Sequence, residues 1–323
     1  MPKRIRYILN SKFARFVLRL ILSLGIIAIF AYYLYDNADK YLELLHISSK
    51  GVLILFLLSL TFPVLNGMQN TYLYRGLGVP EFSHWDSLLI TAASTLANQL
   101  PIPGGIISRG YYLKQRYNLS YSKYTSSTVA TFFWYLAVNG LVGIVVLFYW
   151  IVINKLAIPS ILLIAFTAMV ACMLVFWLPL DRIHMTRRIR HWAQQLLEGW
   201  TAIGHNPGLL FKLAILQVAL VAILSLRYWM AFHMLSQNIS LDQTLLFASI
   251  SILTQLVSLA PGGLGVREAI VAAAASVLGF DTGVSIIAVG LDRLVVTVMI
   301  VLTGWLSIVI LGKQISVTRD ELT

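Results

Sequence analysis

Long apolar runs decide what this chain can become. Residues 16–35, 51–73, 125–153, 159–178, 209–235 and 284–311 are each dominated by apolar side chains, and a helix of about 20 such residues crosses a bilayer. Backbone in hydrocarbon has no water to satisfy its N–H and C=O groups, so runs of this length dictate helices. Composition agrees: hydrophobic residues make up 59% of 323, charged residues 11%, and mean hydropathy is +0.81. A soluble domain carries about 25% charged residues. The predicted fold class is all-α, a polytopic integral membrane protein with about six full transmembrane helices and two re-entrant broken-helix hairpins in an inverted repeat.

The net charge of +11 does not point to nucleic acid. The bases concentrate between apolar runs, at 3–19, 114–123 and 182–190, which is the positive-inside pattern and an attraction to anionic headgroups. It predicts a multi-pass protein of the cytoplasmic membrane with both termini and the 181–206 segment in the cytoplasm. That segment carries Trp192, Leu196, Leu197 and Trp200 among its bases and reads as an amphipathic helix near the headgroups. The N-terminal Lys3-Arg4-Ile5-Arg6 precedes an apolar core too long for a signal peptide, with no small-x-small cleavage site. It reads as a first transmembrane helix with Tyr32, Tyr33 and Tyr35 at the outer interface. Cys172 is the only cysteine, so no intrachain disulfide forms.

Two apolar runs are short and broken. Residues 88–100 end at Pro101-Ile102-Pro103-Gly104-Gly105, and 245–260 end at Pro261-Gly262-Gly263, with Gly265 close behind. Proline removes a backbone donor and glycine weakens helix, so each helix must break there. Broken backbone survives in a membrane only inside protein or beside water. The bases at Lys114, Arg116 and Lys123 return the chain to the cytoplasmic side after the first break, so it reads as a re-entrant hairpin entered from the cytoplasm. By topology the second enters from outside.

Pro103-Gly104-Gly105 and Pro261-Gly262-Gly263 are the only Pro-Gly-Gly triplets, and each is followed four residues later by an arginine, Arg109 and Arg267, all at one offset of 158 residues. The unit is span, broken hairpin, span, occurring twice. The single span at 159–178 between the units turns the second upside down, and inverted repeats with paired broken helices mark alternating-access transporters. The chain divides into a tail, first helix and outer loop (1–50), repeat 1 (51–153), a connecting span and amphipathic helix (154–208), repeat 2 (209–312) and a tail (313–323).

Ionisable residues at membrane depth are expensive and are functional candidates by default. Arg109 and Arg267 stand near the start of the helix after each break, where a partly positive helix end already favours an anion. Arginine beside exposed backbone donors describes a phosphate site. The competing reading is a structural lock: Glu268 adjoins Arg267, and Asp292 and Arg293 lie in the last apolar run, so an Arg267–Asp292 or Glu268–Arg293 pair is open. Arg109 has no acidic neighbour in sequence. Arg227 either faces the cavity or snorkels to the outer interface. Asn98, Gln99 and Gln255 precede the breaks and read best as caps for freed backbone groups. Neither the spacing of the histidines nor a phosphate-cradling glycine loop suggests a metal site or ATP hydrolysis, and no cofactor is expected.

The phrase Pro261-Gly262-Gly263-Leu264-Gly265-Val266-Arg267-Glu268-Ala269 is very similar to the signature of the lysylphosphatidylglycerol synthase transmembrane region, a family also called flippase-like. The resemblance covers about residues 16 to 312. It implies a role in moving lipids, such as aminoacylated phosphatidylglycerol or lipid-linked glycans, across the cytoplasmic membrane. Ile107 and Ser108 stand where members often carry a glutamate, and Phe132-Phe133-Trp134-Tyr135 where they often carry charge. Bifunctional members add a soluble C-terminal aminoacyl-transfer domain, and this chain is expected to lack that synthase activity.

The expectation is a flippase or transporter of an anionic phospholipid or lipid-linked phosphate, not an enzyme, with Arg109, Arg267, Glu268, Asp292, Arg293 and Arg227 as the substrate-binding set. Membrane lipids surround it, nucleic acid is not a partner, and a homodimer or an envelope-biosynthesis partner is compatible. The rival readings are a membrane-embedded transferase and an assembly subunit in envelope lipid or glycan biosynthesis. A transferase normally needs an acidic cluster, and Glu268 and Asp292 are the only acids clearly at depth.

Overall fold

The computed structural model describes residues 48–99, 104–153, 159–177, 194, 200, 201, 203–255 and 265–320. The readings at 16–35, Pro101, Pro103, Pro261, Gly262 and Gly263, and over most of 181–206, lie outside these residues. Every regular element among the described residues is helical: α1 (Ser49–Gly76), α2 (His84–Ala97), α3 (Gly104–Tyr117), α4 (Tyr121–Val152), α5 (Ser160–Ala171), α6 (Pro207–Met234), α7 (Leu241–Ile250), α8 (Val266–Val277) and α9 (Thr282–Asp320). Four of them, α1, α4, α6 and α9, are long and apolar enough to cross a membrane.

The starts follow local chemistry. Ser83 accepts from the Asp86 N–H at the head of α2, Asn206 from the Leu209 N–H before Pro207, and Ser240 with Gln243 forms a capping box before α7. Gly78 and Gly279, with φ of 93° and 82°, take the left-handed turns after α1 and α8.

The element read as a full span at 159–178 takes a different form. It is a 12-residue α-helix that tightens into six residues of 3₁₀ helix at Cys172–Trp177. The longer rise of that winding carries the whole to about 30 Å, one hydrocarbon thickness. It packs closely on α4 because Gly140 and Gly143 have no side chain: a Cβ at Gly143 would fall 2.3 Å from the Phe166 ring.

The two broken elements are short. α2 and α3 have 14 residues each, about 21 Å at 1.5 Å per residue, less than a bilayer core. They fold back on each other as a tight hairpin. A Cβ at Gly104 would lie 2.7 Å from the Ala97 carbonyl oxygen and one at Gly105 2.2 Å from that of Ser94, so backbone meets backbone and only glycine fits. In the second hairpin α7 passes into 3₁₀ helix at Ser251–Gln255, and α8 begins after Gly265, whose φ is 79°.

The repeat is visible in the helices. Adding 158 to both ends of α1 gives both ends of α6. These equivalent helices run antiparallel along their whole length: Gly51 faces Met234, Gln69 donates to Gln217 at 3.1 Å, and Gly76 faces Leu209. The antiparallel pairing and the 158-residue offset share one centre, near Pro63 and Val221, as two units related by a half-turn require. Between the units the partners are exchanged. α2 packs mainly on α9, where Gly304 admits Leu96 and Ala92, and its equivalent α7 packs on α4.

Candidate functional site

Arg109 lies on α3, one and a half turns past Gly104. Its Nη2 and Nε donate to Ser94 Oγ at 2.6 and 3.2 Å, and its Nη1 to Asn70 Oδ1 at 3.3 Å. Asn70 donates in turn to Thr91 Oγ1 at 2.8 Å. The guanidinium is thereby held by α1 and α2 together. Tyr74, Tyr124 and Tyr135 stand close enough to feel its charge. All of these partners are neutral, and Arg109 makes no ion pair among the described residues. Asn98 caps the break as the sequence suggested, its Oδ1 accepting the Gly105 N–H at 2.9 Å.

The second hairpin is built on charge. Arg227 is buried, 3% exposed, and neither lines an open face nor snorkels. It grips Asp292 through two parallel hydrogen bonds of 2.8 and 2.7 Å, the fork geometry that suits arginine to carboxylate. Of the two locks left open, Glu268–Arg293 is the one formed, through Arg293 Nη1 at 3.2 Å. Asp292 belongs to Arg227 and not to Arg267. Arg267 is left over: its Nε is buried without a hydrogen-bond partner among the described residues. Tyr228 and Arg293 both feel its charge. Tyr228 itself shares a hydrogen bond of 3.1 Å with Ser251 at the end of the second hairpin's first arm.

The structure therefore places the predicted residues in two sets. Arg227, Asp292, Glu268, Arg293 and Arg267 gather around α6, α8 and α9. Arg109 stands among polar and aromatic groups of α1, α2 and α4. The family model described as the lysylphosphatidylglycerol synthase TM region matches residues 16–304. The chain belongs to that family. No curated protein and no solved structure matches it.

For a member of the lysylphosphatidylglycerol synthase transmembrane family, the two sets occupy equivalent places in a duplicated frame yet differ in content. At the 158-residue offset Arg227 corresponds to Gln69, Asp292 to Trp134, Arg293 to Tyr135 and Glu268 to Gly110. Only the arginines at 109 and 267 recur. The polar partners of Arg109 were missed by reasoning from the breaks alone. Their signal was Asn66, Gln69 and Asn70, three amides at helical spacing inside an apolar run.

A third polar group closes the far end of the first hairpin. Tyr117 donates to Asp86 Oδ2 at 2.5 Å, and Arg116 Nε sits 3.8 Å from the same oxygen. Burial and the Asp86 carboxylate push the Tyr117 hydroxyl up, so it stays protonated and donates. Arg75 and Lys123 tie the adjoining turn by donating to the carbonyls of Phe82 and Leu77. These contacts anchor the open end of the hairpin and leave Arg109 near its tip.

Proposed function

We propose that this protein moves an anionic phospholipid or lipid-linked phosphate across the cytoplasmic membrane by alternating access. The observation that carries the reading is that the return helix of each hairpin keeps an arginine with no carboxylate of its own. Among the described residues of the hairpins and spans, Arg109, Arg227, Arg267 and Arg293 face two carboxylates, Asp292 and Glu268, which are held by Arg227 and Arg293. A buried cation without a counter-charge is costly. A phosphate arriving at Arg109 or Arg267 supplies that charge and accepts the bidentate bonds guanidinium offers. The inverted units supply two related frames for such a site, one for each leaflet.

In this reading both termini and the 181–206 segment lie in the cytoplasm, and the chain carries lipid without converting it. The test is leaflet exchange. In vesicles with a fluorescent anionic lipid in both leaflets, the purified protein should speed loss of the inner-leaflet signal to an impermeant quencher added outside. Arg109→Ala should slow that exchange by about tenfold or more, the weight of one charge-assisted contact. Exchange by the wild-type protein no faster than in empty vesicles overturns the proposal.

A further inference from the structure

The intramembrane charge has a composition that sorts headgroups, and this inference rests on the lipid-transport reading. We infer that the site accepts headgroups of net negative charge and rejects those to which a cationic group has been added, an aminoacyl ester above all.

At low dielectric a carboxylate is the group that balances a cationic headgroup most fully. The chain has 13 acidic residues, and their places can be followed one by one. Asp292 is sealed by Arg227, with both oxygens occupied. Glu268 is 7% exposed and accepts from Arg293 with both oxygens, at 3.2 and 3.4 Å. Asp86 takes Tyr117 and Arg116 at the far end of the first hairpin, and Asp242 takes the Trp150 indole at the head of α7. Glu81 and Asp281 stand in turns, before α2 and before α9. The rest, at 36, 39, 43, 181, 198, 320 and 321, lie outside the apolar runs, with Asp36 at the very end of the first.

The joins of the hairpins add none. Residues 100–103 and 256–264 contain no aspartate or glutamate, and neither does the apolar run at 16–35. Around Arg109 every described partner is neutral. An ammonium brought to Arg109 would therefore meet a like charge and only neutral described groups, with no carboxylate to offset it. One brought to the second hairpin could reach Glu268 only by displacing Arg293 toward Arg267, whose positive charge already acts on it. Unscreened like charges at this depth repel strongly.

A phosphodiester with an uncharged, hydroxyl-bearing substituent meets none of these objections. Its single negative charge suits one guanidinium, and its substituent adds no second cation. A lysyl ester of the same lipid adds ammonium groups to a site whose described carboxylates, Asp292 and Glu268, are already paired. The family takes its name from such a lipid, and the charge pattern of this chain sets it apart from that substrate.

The test uses binding and transport separately. Purified full-length protein in detergent is heated with short-chain phosphatidylglycerol, phosphatidylethanolamine or lysyl-phosphatidylglycerol at equal concentration. The expected result is a rise in melting temperature with phosphatidylglycerol, less with the zwitterion and none with the lysyl ester, and no rise with any of them for Arg109→Ala. In vesicles, labelled phosphatidylglycerol should exchange about tenfold faster than the lysyl form, a difference of about 1.4 kcal/mol. A melting shift with the lysyl ester equal to or larger than that with phosphatidylglycerol overturns the inference, as does the absence of any shift. Selective binding without exchange of any lipid supports the charge selection and overturns the transport reading instead.

Discussion

Arg227 and Asp292 are joined by two parallel hydrogen bonds, Nε to Oδ1 at 2.8 Å and Nη2 to Oδ2 at 2.7 Å, with side chains 4% and 1% exposed. The pair ties α6 to α9 across 65 residues of sequence. Removing one partner strands a charge in low dielectric, at a cost of about 3–5 kcal/mol. Arg227→Gln and Asp292→Asn should each lower the melting temperature sharply. The double variant should recover at least part of the loss, because two neutral amides leave no buried ion. A double variant as unstable as the sum of the singles would contradict this account of the pair.

Arg267→Ala should behave differently. It leaves both carboxylates with their partners and removes a buried Nε that has none among the described residues. Melting temperature should hold or rise while lipid exchange is lost. Arg109→Ala should also lose exchange and still fold, since its bonds to Ser94 and Asn70 go to neutral groups. Arg109→Lys should recover little, because one ammonium cannot replace a planar fork. Exchange and melting measured side by side in one lipid mixture separate these outcomes.

The first hairpin should be intolerant of a single methyl group. Gly105→Ala places a Cβ 2.2 Å from the Ser94 carbonyl and 2.3 Å from Asn98 Oδ1. Forced separation of the arms should cost about 1–3 kcal/mol and displace Ser94 from Arg109. The check is thermal unfolding together with lipid exchange, and unchanged values in both would show that the arms are not in contact.

Inversion of the units has a chemical signature. Asn118 and Ser276 are repeat equivalents, both exposed, each near the end of its hairpin's return helix. With Cys172 replaced by serine, Asn118→Cys should react with an impermeant maleimide only after the cytoplasmic face is opened. Ser276→Cys should react in intact cells. Labelling of both from one side would rule out the inverted arrangement.

Much of this frame was legible before any coordinates. One offset of 158 residues, read from two Pro-Gly-Gly triplets and two arginines, also relates α1 to α6 end for end. Duplication copies backbone, and proline and glycine act locally, so the breaks and their spacing survive in sequence. Pairing across helices does not. Asp292 stood near Arg267 in expectation, yet α6 presents Arg227 to it, and that choice depends on how α6 and α9 cross. Asn70 and Ser94 were likewise hidden, because a polar residue in an apolar run does not say which neighbour it faces. The 3₁₀ ending of α5 had no signal in a run that is apolar throughout.

The exchange of partners between the units carries a lesson about descent. Each unit lays the first arm of its hairpin on the last span of the other, α2 on α9 and α7 on α4. Half of the chain, made alone, would therefore expose the surface that its missing twin should cover. A gene encoding one unit could have yielded a stable protein only if its product inserted in both orientations and two opposed copies clasped each other. Fusion of two such genes needs one extra crossing to keep the copies opposed, and α5 stands where that crossing belongs. Halves joined in one chain are free to differ, and among the described residues the pairs Arg227–Asp292 and Glu268–Arg293 stand in the second alone.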